Sequence, residues 1–202
     1  GKSAHAGVEP EKGANAIVQL ARLVDLAAGL NGVRPGVTVN AGVIVGGRLT
    51  NVVPDAAEAH FDVRARDPEG AAAVHAALYA LAEQITVPGT QATVTGGFEG
   101  QPMPRTPGNA WLAETAAAIG RALGFAVKDG PMTGGMGDAN YLAEGGLPVL
   151  DGLGPIGGAD HSPDEYLVVS SIAPRIALAA GVIAAACDEV DTLRGFRGQP
   201  AR

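Results

Sequence analysis

The sequence predicts an α/β protein in two parts: a ferredoxin-like, two-layer α+β unit that lacks its first strand, then the C-terminal part of an α/β layer. Three observations predict it. In the first hundred residues the apolar period switches between helical and strand-like in the order helix, strand, strand, helix, strand, which is βαββαβ without its leading strand. Residues 100–108 are rich in Pro and Gly and read as a link. Beyond them, helical patterns alternate with a short apolar run and glycine loops. The expected boundaries are a lid or dimerisation domain at 1–99, a second domain at 100–190 and a polar, frayed tail at 191–202.

Taken in order, residues 1–8 form a small-residue loop, and Glu9-Pro10-Glu11 suits a helix start. Ile17, Leu20, Ala21, Val24 and Ala28 recur at helical spacing, which predicts an amphipathic helix over 11–30. Val37, Val39, Ala41, Val43 and Val45 alternate with Thr38, Asn40, Gly42 and Ile44, a strand pattern broken at Gly46-Gly47. A second alternation sets Ala57, Phe61 and Val63 against Glu58, His60, Asp62 and Arg64, so Arg64 points away from the apolar layer. Asp67-Pro68-Glu69 starts a helix that runs through Val74, Leu78, Leu81 and Ile85 to Pro88-Gly89, and residues 91–97 read as one more strand. The second part offers a helix over 111–123, a glycine loop at 133–138, a short helix over 139–144, a short buried strand at 147–150 and a final helix over 170–187.

Composition narrows the chemistry. Fourteen basic residues against 21 acidic ones give a net charge of −7, which argues against a nucleic-acid surface. Hydrophobic residues make up 47% of the chain, enough for a packed core. The lone Cys187 lies in an apolar run and reads as a small core residue, so no disulfide framework exists. The apolar stretches fall short of the ~20 residues a bilayer crossing needs. No signal peptide opens the sequence, and the expectation is a cytoplasmic protein without a membrane or nucleic-acid partner.

Among the motifs, Gly152-Leu153-Gly154-Pro155-Ile156-Gly157 fits the dinucleotide spacing but is followed by a turn, not by the helix that would aim N–H groups at a pyrophosphate. No Walker A pattern occurs, and no serine sits in a G-x-S-x-G elbow. His161 follows flexible glycines and precedes a proline-stiffened turn, Asp160-His161-Ser162-Pro163, where an imidazole can serve as a metal ligand. His5 is flanked by small residues on a loop beside the polar sheet face, whereas His60 and His75 read as ordinary surface or partly buried histidines. The loop at 133–138 leads into a helix, so its N–H groups could hold a carboxylate; the plain alternative is a helix start capped by Asp138.

Together these stretches resemble the zinc-dependent exopeptidase and deacylase family that includes carboxypeptidase G, acetylornithine deacetylase, succinyl-diaminopimelate desuccinylase and aminoacylase. The resemblance rests on Gly1-Lys2-Ser3-Ala4-His5-Ala6-Gly7, Val39-Asn40-Ala41-Gly42, Thr50-Asn51-Val52-Val53-Pro54-Asp55, Asp62-Val63-Arg64, Thr133-Gly134-Gly135 and His161-Ser162-Pro163-Asp164-Glu165-Tyr166, in family order. The glutamate carboxypeptidase branch is nearest in pattern. The resemblance implies an α/β zinc-exopeptidase catalytic domain interrupted by a ferredoxin-like lid that dimerises, two zinc ions per complete site, and a peptide or N-acyl amino acid substrate with a free carboxylate. It further implies that His161 is a metal ligand, that His5 donates to the oxyanion in the partner's site with Asn51 nearby, and that Arg64, Gly134 and Gly135 hold the substrate carboxylate.

The family's early H-x-D pair and adjacent Glu-Glu pair have no counterpart in this sequence. The resemblance therefore implies that the chain supplies one zinc ligand, that it is a fragment of a metal-dependent amide hydrolase, and that it is inactive alone. A non-catalytic dimerisation module built on the lid is the competing expectation.

Overall fold

The computed structural model describes residues 1–103, 105–130 and 133–200, and they divide into two units. Unit 1 comprises Gly1–Pro102 with Thr133–Gly135, and unit 2 takes the remaining described residues.

Unit 1 begins with extended chain that pairs backward. Lys2 and Ala14 exchange two backbone hydrogen bonds of 2.9 Å, and His5 forms a bridge with Val52. The helix expected from residue 11 starts later, because Pro10–Lys12 close a separate 3-10 turn and Gly13 leaves it in an extended conformation. Helix α1 (Ala16–Ala28) is capped by Asn15, whose side chain accepts from Val18 N at 3.0 Å. Strands β1 (Thr38–Gly46) and β2 (Ala57–Arg64) pair antiparallel, and α2 (Pro68–Ala82) follows with Asp67 accepting from Gly70 N at 2.6 Å. Both helices pack on the strand pair and on each other around buried Val37, Val39 and Val74, with Phe61, Val63, Leu78 and Phe98 against them.

The uniform alternation expected along β1 breaks at Gly42. Ala41 pairs with Phe61 and Val43 with His60, so one residue is inserted and the side-chain phase reverses. Val39 and Ala41 stay in phase with Val63 and Phe61, whereas Val43 and Val45 join His60 and Glu58 on the polar face. Val43 and Val45 are at least half exposed as a result, and Ile44, opposite Ala59 on the other face, is 56% exposed as well. At the far end Gly46 lies against α1: a Cβ there would meet Ile17 Cγ1 and Ala57 Cβ at 2.9 Å.

Residues 91–97, expected as a strand, join no ladder among the described residues. The cause is spacing. A groove of about 840 Å³ lies between this segment and β2, floored by Leu20 and Leu23 of α1 and Leu78 of α2. Strands pair only when about 4.8 Å apart, so a segment across a groove cannot complete a ladder. Tyr79 reaches across to Gly96 O at 3.3 Å, and Phe98 fills the core, which fixes the segment without pairing it.

Buried Gln19 joins α1 to the turn after α2. Its Nε2 donates to Gln84 O at 2.8 Å, and its Oε1 accepts from Thr86 N at 2.8 Å and Val87 N at 2.9 Å. This clamp turns the chain away after Ala82, which is why α2 stops short of the expected Ile85.

In unit 2, α3 (Pro107–Ala122) begins earlier than expected because Thr106 caps it, accepting from Asn109 N at 3.2 Å. Helix α4 (Asp138–Glu144) is preceded by Gly137, whose N–H donates to Asn140 Oδ1 at 3.1 Å; Asp138 is the first helical residue and not the cap. Residues 147–150 form no strand: Val149 N finds its acceptor in the side chain of buried Asn109, at 2.7 Å, instead of in a neighbouring strand. A two-residue ladder joins β3 (Gly157–Gly158) to β4 (Tyr166–Leu167).

Helix α5 (Ile172–Asp188) packs on α3 through Leu178, which is fully buried, and Val182, against Leu112 and Ala116. Burying a leucine of this kind contributes ~1.5–3 kcal/mol. Gly181 lets the helices approach, since a Cβ there would meet Ile119 Cγ2 at 2.9 Å. With the preceding turn the helical run Val169–Asp188 reaches 20 residues at mean hydropathy 1.7, longer than the sequence reading allowed and long and apolar enough to cross a membrane by those two measures. Cys187 lies on its exposed side and not in the core. The expected frayed tail instead carries α6 (Val190–Phe196), held by Leu193 on the unit 2 core and by Gly198 N donating to Gly146 O at 2.9 Å.

Candidate active site

The residues singled out by sequence fall in both units. His5, Asn51, Arg64, Gly134 and Gly135 belong to unit 1, and His161 to unit 2. Within unit 1, backbone pairing sets His5 beside Asn51: Ala6 N donates to Asn51 O and Val53 N to Ala4 O, both at 2.9 Å. The Ser3 hydroxyl bonds the Asp55 carboxylate and holds it below the usual range, with the Asp55 backbone adding to the effect. These contacts anchor the loop on both sides of His5. Gly7 N donates to His5 Nδ1 at 3.2 Å, so in the neutral ring the proton lies on Nε2, which can then act as a hydrogen-bond donor.

Arg64 ends β2, two residues after Asp62 on the same face. Its Nε donates to Asp62 Oδ1 at 2.7 Å and its Nη2 to Asp62 Oδ2 at 3.0 Å, a bidentate pair. The Arg64 hydrogen bonds hold Asp62 below the usual carboxylate range, and those to Asp62 raise the guanidinium further. Arg64 Nη1 also donates to Gly134 O at 3.1 Å. The glycine loop thus meets Arg64 through a carbonyl, while Gly135 N donates to Thr133 Oγ1 at 3.2 Å. Sequence reasoning placed Asp62 in a motif without giving it a task, although opposite charges two apart on a strand signal such a pair.

His161 sits in the loop joining β3 to β4. Ser162 knits that loop: its hydroxyl donates to Ala159 O at 2.7 Å and accepts from Asp164 N at 3.2 Å. Ala159 and His161 take left-handed backbones, with φ of 58° and 63°. Nearby, Arg175 donates to Gly154 O at 2.7 Å and to Gly152 O, so this glycine run presents carbonyls to a guanidinium and makes no phosphate cradle.

No group of three or more His, Cys, Asp and Glu side chains is arranged to hold a metal among the described residues. His161 as a single imidazole does not make a zinc centre, which takes about four ligands.

Residues 1–90 match the family of the peptidase dimerisation domain of M20 peptidases. That stretch is under half of the 202 residues, and over it the chain is similar to a peptidase dimerisation domain. It is 30% identical over 184 residues to carboxypeptidase G2 of Pseudomonas sp. (strain RS-16), covering 91% of this chain and 44% of that protein. The fold is shared with aminopeptidase PepT of Bacillus cereus, at TM-score 0.59 and 25% identity over 90% of this chain and 48% of that one. It is also shared with a tripeptidase of Staphylococcus aureus, at TM-score 0.68 and 23% identity over 93% of this chain and 49% of that one. The chain thus spans under half the length of each of these proteins. Helices and small antiparallel sheets agree with the α+β lid expected from the sequence.

Proposed function

We propose that this chain is the lid and C-terminal portion of a metal-dependent hydrolase that cleaves the amide bond of peptidyl or N-acyl amino acids bearing a free carboxylate, in the manner of a glutamate carboxypeptidase. The observation that carries the reading is a guanidinium fixed on a polar strand face within an M20 dimerisation domain, where Arg64 is braced by Asp62 and Gly134. A planar fork of donors matches a carboxylate in two parallel hydrogen bonds. The similarity to carboxypeptidase G2 supports the choice of substrate class.

In this reading Arg64 binds the substrate carboxylate. His5 Nε2 donates to the oxyanion that forms when the scissile carbonyl is attacked, where a positioned donor stabilises developing charge. Asn51 supports the same loop, and Gly134 and Gly135 border the carboxylate. His161 is proposed as one ligand of a zinc site whose other donors are not among the described residues, so the isolated chain is expected to be inactive.

The test is hydrolysis by the whole product of this gene, loaded with zinc. N-acyl-glutamates and dipeptides should turn over, and analogues with the free carboxylate converted to an amide should lose at least about tenfold in kcat/KM. No turnover with zinc or another divalent metal would overturn the hydrolase reading, and equal rates for acid and amide would overturn the carboxylate preference.

Dimerisation through the lid is the second part of the proposal, favoured by the half-exposed Val43, Ile44 and Val45 on the outer strand β1. An unpaired apolar edge is suited to pairing with a second copy. Val43→Lys with Val45→Lys should turn a dimer into a monomer in sedimentation, with the fold kept because both side chains already face solvent; an unchanged dimer would place the interface elsewhere.

A further inference from the structure

We propose that Asp62 is a positioning residue for substrate recognition: by occupying the side-on edge of the Arg64 guanidinium, with Gly134 on the stem side, it leaves the adjacent, end-on edge to a substrate carboxylate. This rests on the reading of Arg64 given above, and it assigns a task to a residue beside it.

The argument is a count of donors. A guanidinium carries five N–H groups in a fixed plane. Asp62 takes the Nε hydrogen and one Nη2 hydrogen, the pair that forms the side-on edge. Gly134 takes one Nη1 hydrogen through its carbonyl. A Cβ built on Gly134 would lie 3.4 Å from Arg64 Cδ and 3.5 Å from its Cβ, so this residue sits along the stem and its carbonyl meets the Nη1 hydrogen on that side. One hydrogen remains on each Nη nitrogen. These two are parallel and form the end-on edge, the geometry that matches both oxygens of a carboxylate.

Asp62 thereby does two things. It stops the guanidinium from rotating, so that the open edge has one direction. It also balances the charge of Arg64, so a ligand is selected by its paired oxygens more than by net attraction. Both partners are near half exposed, and an exposed ion pair contributes little to stability. Positioning explains the bidentate contact better than stability does.

Kinetics on the whole, zinc-loaded gene product test this. Asp62→Ala should raise KM for a carboxylate-bearing substrate roughly tenfold while leaving kcat within about twofold, and should leave KM for the amide analogue unchanged. Asp62→Glu should recover part of the loss. An unchanged or lower KM in Asp62→Ala would overturn the proposal, since freeing the side-on edge would then have helped or done nothing. Arg64→Ala separates the two readings: if it does not erase the preference for acid over amide, the carboxylate role of Arg64 fails, whereas if it does and Asp62→Ala has no effect, only the positioning role fails. A readout independent of turnover uses the 202-residue chain itself. The Arg64 Nε–H signal in 15N NMR should be protected from solvent exchange and lose that protection in Asp62→Leu, which offers no acceptor; retained protection would overturn the proposal.

Discussion

Replacing His5 with alanine is expected to lower kcat of the zinc-loaded gene product by about 10²- to 10³-fold with little change in KM, the loss typical of removing one oxyanion donor. The basis is local. The Gly7 N–H donates to Nδ1 at 3.2 Å, which leaves Nε2 as the protonated, outward nitrogen, and the pairing of Ala4 and Ala6 with Val53 and Asn51 holds the loop in place. An imidazole with no such hydrogen bond would divide its time between two tautomers, only one of which donates from Nε2. If His5 acts in the partner's site, mixing two inactive variants, His5→Ala and His161→Ala, should restore activity. A mixed dimer would contain one site with both imidazoles intact. Failure to restore activity after subunit exchange would place His5 in its own subunit's site, and a loss confined to KM would remove it from oxyanion stabilisation.

The largest expected effect on stability is at Gln19. Gln19→Leu fills a similar volume but removes the acceptor shared by Thr86 N and Val87 N, which lie beside a residue only 3% exposed. A fully buried N–H left without an acceptor costs about 1–3 kcal/mol; with Thr86 exposed and Val87 half-buried, the two together are expected to destabilise unit 1 by about 1–3 kcal/mol. Chemical denaturation followed at Trp111 would miss this, because that residue lies in unit 2; circular dichroism or amide exchange in α1 and α2 would report it. Gln19→Glu keeps the acceptor and should cost less, although its carboxylate would then face Gln84 O. Equal stability of Gln19→Leu and the parent would mean that water replaces the lost acceptor.

How legible these features were follows from the range of each interaction. Helical periodicity is local, so α1, α2 and α5 stood out in the sequence, as did the helix start at Asp67-Pro68-Glu69. The alternation of Val39, Val43 and Val45 concealed the inserted residue at Gly42, because valine fits either face and only the partner strand reveals which face is buried. Residues 91–97 and 147–150 have strand composition, but whether such a run becomes a strand depends on a neighbour at pairing distance. The first meets a groove and the second meets the Asn109 side chain. The polar residues of α6 disguised a helix that Leu193 and Phe196 secure, the latter set against Gly108.

The site was legible unevenly. Its residues came from the ordered motif resemblance, since spacing alone could not bring Arg64 to Gly134, 70 positions away. Two polar residues with structural consequences escaped notice. Gln19 looked like one more polar position on an amphipathic helix, and Asp62 like one more acidic residue on a solvated strand face. The partners of Gln19 lie in a distant turn that no periodicity encodes, whereas the two-residue spacing of Asp62 and Arg64 put them on one face without showing that they pair.

The left-handed backbone at His161 has a consequence for how this protein can be altered. A residue with φ of 63° suits glycine or asparagine better than a histidine, so the loop holds its imidazole against a conformational preference. Selection for thermostability alone would favour glycine there and discard the imidazole. If His161 holds a metal as proposed, stability and chemistry oppose one another at this position, and a variant library screened only for robustness would drift towards a sturdier protein without that imidazole.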